Sequence, residues 1–171
     1  MLKKALTTTA LATVLLTSSI SAGNLIDGVI FENEGYNIGV IYPSQYQNVI
    51  MTIDDLAGSG PESKWRWNNY NLEIFTSGSK KLCLNAHNPR RGSNVNLFRC
   101  TQSDPEQHWQ WIKNGYQKGM IKLIGTNYCL NAHNINQGTN VNLWTCDKDD
   151  TDQQFNYLKP LKIFNEWNGE D

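Results

Sequence analysis

One block of this chain occurs almost twice. Residues 83–100 read CLNAHNPRRGSNVNLFRC and residues 129–146 read CLNAHNINQGTNVNLWTC, an offset of 46 with 11 of the first 16 positions identical. A period of this size marks a fold assembled from copies of one supersecondary unit, and it constrains the architecture more than composition does. A looser third copy lies upstream. The aromatic step Trp109-Gln-Trp111 recurs 46 residues on as Phe155-Asn-Tyr157, and 44 residues back as Trp65-Arg-Trp67. Asn48-Val49 matches Asn94-Val95 and Asn140-Val141, Pro43 matches Pro89, and Tyr36-Asn-Ile38 stands where the second copy has Leu82-Cys-Leu84. The N-terminal third is thus a degenerate copy without cysteines, and the three copies fall near 28–73, 74–119 and 120–165.

Between the repeated motifs lie brief apolar pieces such as Val29-Ile-Phe31, Val49-Ile-Met51, Leu72-Glu-Ile74, Met120–Ile124 and Tyr128-Cys-Leu130, separated by scattered glycines. Many short strands with close-set turn signals predict an all-β barrel or sandwich. No stretch keeps a 3.6-residue apolar period over helix length. Aromatics two apart lie on one face of a strand, so three copies of the aromatic pair predict an aromatic-rich core where three equivalent strands converge.

The first 22 residues read as a leader: Met1-Leu-Lys-Lys is a basic start, Ala5–Leu16 an apolar stretch rich in Thr, and Thr17–Gly23 a run of small residues. The apolar stretch is too short and too polar for a transmembrane helix, which needs about 20 apolar residues. Cleavage near Ala22 predicts a secreted or periplasmic protein in which residues 23–171 form one domain with no transmembrane segment. All four cysteines lie in the repeated block, one at each end of each copy. In an oxidising compartment this symmetry selects Cys83–Cys100 and Cys129–Cys146 among the three possible pairings. The rival is zinc, from Cys83-x3-His87 and Cys129-x3-His133, but that spacing is not a usual zinc pattern. The formal charge of −1 and the absence of any long basic run argue against a nucleic-acid partner. Arg90-Arg91 reads as part of a solvated loop.

The order Cys-Leu-Asn, Asn-Val-Asn-Leu-aromatic, Cys, then Gln-x-aromatic resembles the ricin B-type lectin domain, a β-trefoil. The Gln-x-Trp signature is complete at Gln107-His-Trp109, and altered at Gln153-Gln-Phe155 and Ser63-Lys-Trp65. The resemblance implies twelve strands, six in a barrel and six in three capping hairpins. It also implies sugar sites, up to one per copy, for galactose-type or related glycans. Each needs a short polar side chain to bridge hydroxyls, an aromatic face for the C–H side of the ring, and further amides or carboxylates. The matching residues are Asn85, Asn96, Phe98, Glu106 and Gln107 in the second copy. In the third they are Asn131, Asn142, Trp144, Asp152 and Gln153. The family's bridging residue is usually Asp; Asn85 and Asn131 stand in its place and lose the charge-assisted bonds of a carboxylate. Sugar contact and turn formation both fit these two asparagines. Gln107 and Gln153 fit either sugar contact or ties from side chain to backbone. Trp144 offers the larger ring, so the third copy is the preferred pocket, with its ring expected at the surface. The first copy has Gly39, Ile50 and Thr52 at the corresponding positions, which predicts no pocket.

No catalytic constellation is visible. His87 and His133 fall on separate lobes, and Asp147–Asp152 lacks the central glycine of a calcium hand. Glycosidase chemistry needs two opposed carboxylates, which Asp54-Asp55 does not specify. Neither a metal nor a cofactor is implied. The reading is therefore an exported carbohydrate-binding protein, acting on cell-surface glycans or as the cell-binding subunit of a toxin. The A and C subunits of cytolethal distending toxins are similar in size, export and fold, which makes other toxin subunits candidate partners. The alternative is a sugar-independent trefoil that serves as accessory subunit of another exported protein.

Overall fold

The computed structural model describes residues 29–53, 63–74 and 81–158. The expected leader, Asp54-Asp55 and the polar tail after Asn165 lie outside the described residues. Twelve short strands follow in three groups of four. The first group is β1 (Ile30–Asn33), β2 (Tyr36–Gly39), β3 (Ile50–Thr52) and β4 (Trp65–Asn68). The second is β5 (Asn71–Ile74), β6 (Leu82–Asn85), β7 (Asn96–Arg99) and β8 (Trp109–Lys113). The third is β9 (Lys118–Leu123), β10 (Tyr128–Asn131), β11 (Asn142–Thr145) and β12 (Phe155–Leu158).

The first and last strands of each group build the barrel. β1 pairs with β12, β12 with β9, β9 with β8, and β4 with β5, all antiparallel. The remaining seams are narrower. Val29 and Trp65 exchange backbone hydrogen bonds of 2.7 and 2.8 Å between the β1 and β4 segments, and Trp109 N–H donates to Tyr70 O at 2.8 Å. The inner strands form three hairpins, β2–β3, β6–β7 and β10–β11. This is the β-trefoil.

The apolar pattern explains why three hairpins close together. Each presents one aliphatic cross-strand pair to the core: Ile38 opposite Met51, Leu84 opposite Leu97, and Leu130 opposite Leu143. All six are fully buried. At the pseudo-threefold axis the matched valines join in a ring of backbone bonds. Val49 N–H donates to Val95 O at 3.0 Å, Val95 N–H to Val141 O at 3.1 Å, and Val141 N–H to Val49 O at 2.9 Å. Three non-local segments thus satisfy one another's buried polar groups, a requirement that a single copy cannot meet.

The aromatic pairs occupy the barrel. Trp65, Trp109 and Phe155 are buried. The two indole N–H groups donate to Ile38 O at 2.8 Å and Leu84 O at 3.0 Å, while Phe155 has no such group to give. Their partners two residues on, Trp67, Trp111 and Tyr157, gather around Phe31 with centroid distances of 6.3, 5.5 and 5.6 Å. Gly119, opposite Lys113 on β8, makes room for this cluster. A Cβ there would meet the Trp111 ring at 2.5 Å and Ile112 O at 2.6 Å.

Candidate functional site

The hairpins β6–β7 and β10–β11 carry the expected residues on the side turned away from the leucine pairs. Asn131 lies opposite Asn142, and Cys129 opposite Trp144. Asn85 lies opposite Asn96, and Cys83 opposite Phe98. Cross-strand partners and residues two apart share a face. The fold therefore brings Asn131, Asn142 and Trp144 together, and repeats the set as Asn85, Asn96 and Phe98. Asn85 and Asn131 end their strands and are only 3% and 4% exposed. The turn role proposed for them belongs instead to Asn88 and Asn134, whose φ values of 48° and 55° put them in the left-handed region that Asn tolerates.

The two copies differ in how these amides are satisfied. Asn85 Nδ2 donates to Asn96 Oδ1 at 3.3 Å. In the third copy the equivalent Asn142 Oδ1 is buried with no hydrogen-bond partner among the described residues. Outside the strands the copies agree closely. Cys83–Cys100 and Cys129–Cys146 are disulfides with Cα–Cα distances of 5.0 and 4.9 Å, the symmetric pairing, which removes these thiols as zinc ligands.

After each disulfide comes a single 3-10 turn, Pro105–Gln107 or Thr151–Gln153. Asp104 and Asp150 cap these turns, accepting from Glu106 N–H and Asp152 N–H at 3.0 Å each. The caps aim the acids back at the histidines of their own copies. Glu106 Oε2 lies 3.3 Å from His87 Nδ1, and its Oε1 accepts from Asn88 N–H at 2.9 Å. Asp152 Oδ2 lies 3.0 Å from His133 Nδ1. These pairs stay partly open, with the acids' side chains 28% and 30% accessible.

Gln107 and Gln153 are fully buried. Gln107 Nε2 donates to Arg99 O at 3.0 Å and its Oε1 accepts from Thr101 N–H at 2.9 Å. Gln153 Nε2 donates to Thr145 O at 3.0 Å and its Oε1 accepts from Asp147 N–H at 3.1 Å. Both amides tie the strand end to the loop that follows. A sugar cannot reach them, so these two leave the set of candidate contacts and take the structural role.

The expectation of an uncovered ring at Trp144 also changes. Trp144 is half-buried, and the Arg91 guanidinium carbon sits 3.9 Å from its ring centroid. Gly92, at φ +83°, lies beside the same ring: a Cβ there would be 3.8 Å from Trp144 Cζ3. Backbone pairing holds this loop in place, with Gly92 N–H donating to Leu143 O at 2.7 Å and Leu143 N–H to Ser93 O at 2.8 Å. The preceding junction has the same backbone. Tyr46 N–H donates to Leu97 O at 2.8 Å, and the Tyr46 ring packs edge-on against Phe98 with centroids 5.3 Å apart. At the third junction Gly138 N–H donates to Met51 O at 2.8 Å, while Gln137 Oε1 accepts from Ile53 N–H at 3.0 Å. Each candidate face is thus completed by the loop of the preceding copy. Sequence reasoning placed Arg91 in a solvated loop and did not single out Tyr46. The available signal was the column Gln45, Arg91, Gln137, where one copy alone carries a cation.

The ricin-type β-trefoil lectin domain family matches residues 42–155, well over half of the chain, and the chain belongs to that family. The domain of this family is a carbohydrate-binding, non-catalytic module. No match to a curated protein sequence is found. Among solved structures, the fold is similar to the C-half of an earthworm R-type lectin in complex with GalNAc, at a TM-score of 0.61 and 10% identity over 78% of this chain and 98% of that one. It is similar to the designed threefold-symmetric protein ThreeFoil at 0.59 and 16%, covering 78% and 97% of the two chains. It is also similar to the cytolethal distending toxin of Haemophilus ducreyi at 0.59 and 14%, covering 79% and 84%. Among the described residues no helix is long and apolar enough to cross a membrane.

Proposed function

We propose that this chain is an exported lectin that binds cell-surface glycans through its third copy, on the face made by Asn131, Asn142, Trp144 and the His133–Asp152 pair. One observation carries the choice of copy. Among the described residues Asn142 Oδ1 has no partner, whereas its counterpart in the second copy is engaged by Asn85. A buried acceptor without a partner costs about 1–3 kcal/mol, so a ligand whose docking shifts this side chain enough to uncover the oxygen recovers that cost. In the second copy, the Tyr46 ring already packs against Phe98 and the amides already pair. The earthworm lectin with bound GalNAc supports a galactose-type ligand by analogy. The disulfides support an oxidising, extracellular or periplasmic setting. The likeness to the distending toxin supports a role as the cell-binding subunit of a toxin.

A glycan array on the mature protein, followed by calorimetry, tests this reading. Trp144→Ala is expected to remove most binding and Phe98→Ala to leave it unchanged. A blank array, or loss with Phe98→Ala alone, overturns it. The second reading, a sugar-independent accessory subunit, has its own observation. Ile41, Tyr42, Tyr46 and Ile53 in or beside the first copy's hairpin are 48%, 73%, 70% and 54% exposed. Stoichiometric co-purification with another exported protein, lost on Tyr42→Ser and unaffected by free sugar, would select that reading.

A further inference from the structure

Arg91 gives the third-copy face a property that no other copy has. Its guanidinium carbon lies 3.9 Å from the Trp144 ring centroid, within cation–π range. One face of the ring that would stack on the apolar side of a neutral sugar is therefore covered by a cation. The side chain is anchored from below by the indole and from behind by the backbone pairing of Gly92 and Ser93 with Leu143. Among the described residues no carboxylate pairs with it; the ion pairs involve Arg66, His87, His133 and Lys148 instead. A guanidinium has five N–H donors in a plane and matches a carboxylate through two parallel bonds. Arg90 adds a second exposed positive charge beside it.

Acids that follow Trp144 in the chain are engaged elsewhere. Asp152 faces His133, Asp149 faces Lys148, and Asp150 accepts from Asp152 N–H and Gln153 Nε2. The matched positions in the other copies are Gln45 and Gln137, and Gln137 is engaged with Ile53 N–H. The protein as a whole carries a formal charge of −1, so general electrostatics would not gather anions at this face. A local cation held on an aromatic ring, next to an unpartnered amide, is a directed receptor.

We propose that the third-copy face recognises an acidic saccharide, with Arg91 receiving a sugar carboxylate while Asn142 and Asn131 meet neighbouring hydroxyls. This rests on the lectin reading of that face and names its ligand class. The guanidinium rests over the Trp144 ring and is partly positioned before a ligand arrives. Trp144 then serves as the support for Arg91 as well as a contact for the sugar.

The test is calorimetric titration of the mature protein with lactose, 3′-sialyllactose and 3′-sulfolactose at low and physiological salt. 3′-Sialyllactose is expected to bind at least about tenfold more tightly than lactose, as one charge-assisted bond allows. Arg91→Gln, the residue that the other copies hold, is expected to erase that difference without changing the melting temperature. Arg91→Lys keeps the charge without the planar fork and is expected to restore only part of it. Equal binding of lactose and 3′-sialyllactose overturns the acidic-ligand proposal and leaves the lectin reading standing. So does a preference that survives Arg91→Gln. A preference for 3′-sulfolactose alone overturns the carboxylate assignment. Absence of binding to all three, together with a blank array, removes the lectin reading itself.

Discussion

The second and third hairpins have nearly the same sequence and the same backbone register, yet they present different surfaces. In the second, Asn85 binds Asn96 and the Tyr46 ring packs edge-on against Phe98. In the third, Asn142 Oδ1 has no partner among the described residues and Trp144 lies under the Arg91 guanidinium. The amide difference and the change from Phe98 to Trp144 arise within the hairpins, but what lies over each ring does not. It comes from the loop of the preceding copy, which reaches across and supplies an aromatic in one case and a cation in the other. A trefoil duplicates its units in sequence but assembles each site from two of them. Near-identical copies can therefore diverge in chemistry through substitutions in a neighbour.

The comparison can be broken most forcefully at what the copies share. Replacing Cys83 and Cys100 together by Ala, or Cys129 and Cys146 together, is expected to cost about 3 kcal/mol in either case, because both bridges join cysteines with a sequence separation of 17. Urea midpoints measure this. Losses differing by more than about 1 kcal/mol would show that the copies are not equivalent in the folded core. Gln107→Ala and Gln153→Ala come next, at about 2 kcal/mol each, since each removes a fully buried side chain and its two hydrogen bonds to the loop backbone. Glycan affinity of the folded variants is expected to stay unchanged; a selective loss with Gln153→Ala would return that residue to the binding site.

Smaller effects sharpen the difference between the copies. Trp109→Phe, which gives the second copy the third copy's residue type, is expected to cost about 1 kcal/mol through the lost bond to Leu84 O. Gly92→Ala is expected to cost about 1 kcal/mol, because φ +83° disfavours any Cβ. Tyr46→Gly is the smallest. Tyr46 has φ 65° where the other copies have glycine. Relief of about 1 kcal/mol of backbone strain is offset by loss of a ring contact of similar size. A thermal melt is expected to show almost no net change, and a clear stabilisation would mean that the Tyr46–Phe98 contact contributes little.

Much of this architecture was legible in the chain. The 46-residue offset located three copies, and the described residues hold three groups of four strands, with β5 starting at Asn71 and β9 at Lys118, slightly ahead of the expected spans. The terminal cysteines of each block are joined as their symmetry requires. The aromatic steps converge on Phe31, because residues two apart on a strand must share a face. Candidate contacts were less legible. Asn142 and Trp144 do share a face with Asn131, but Gln107 and Gln153, which share the family's motif, are buried. A glutamine reads identically in sequence whether its amide meets a sugar or the backbone of its own loop.

The sequence alone determined the elements that depend on period and local pairing: the repeat, the cysteine partners and the aromatic strands. Tertiary structure decided what lies above each ring. Arg91 and Trp144 are 53 positions apart, as Tyr46 and Phe98 are 52 apart. Only the closure of the barrel, with its ring of bonds through Val49, Val95 and Val141, brings one copy's loop onto the next copy's strand. Contacts made by closing a chain on itself depend on geometry summed over the whole fold, and no local pattern contains them.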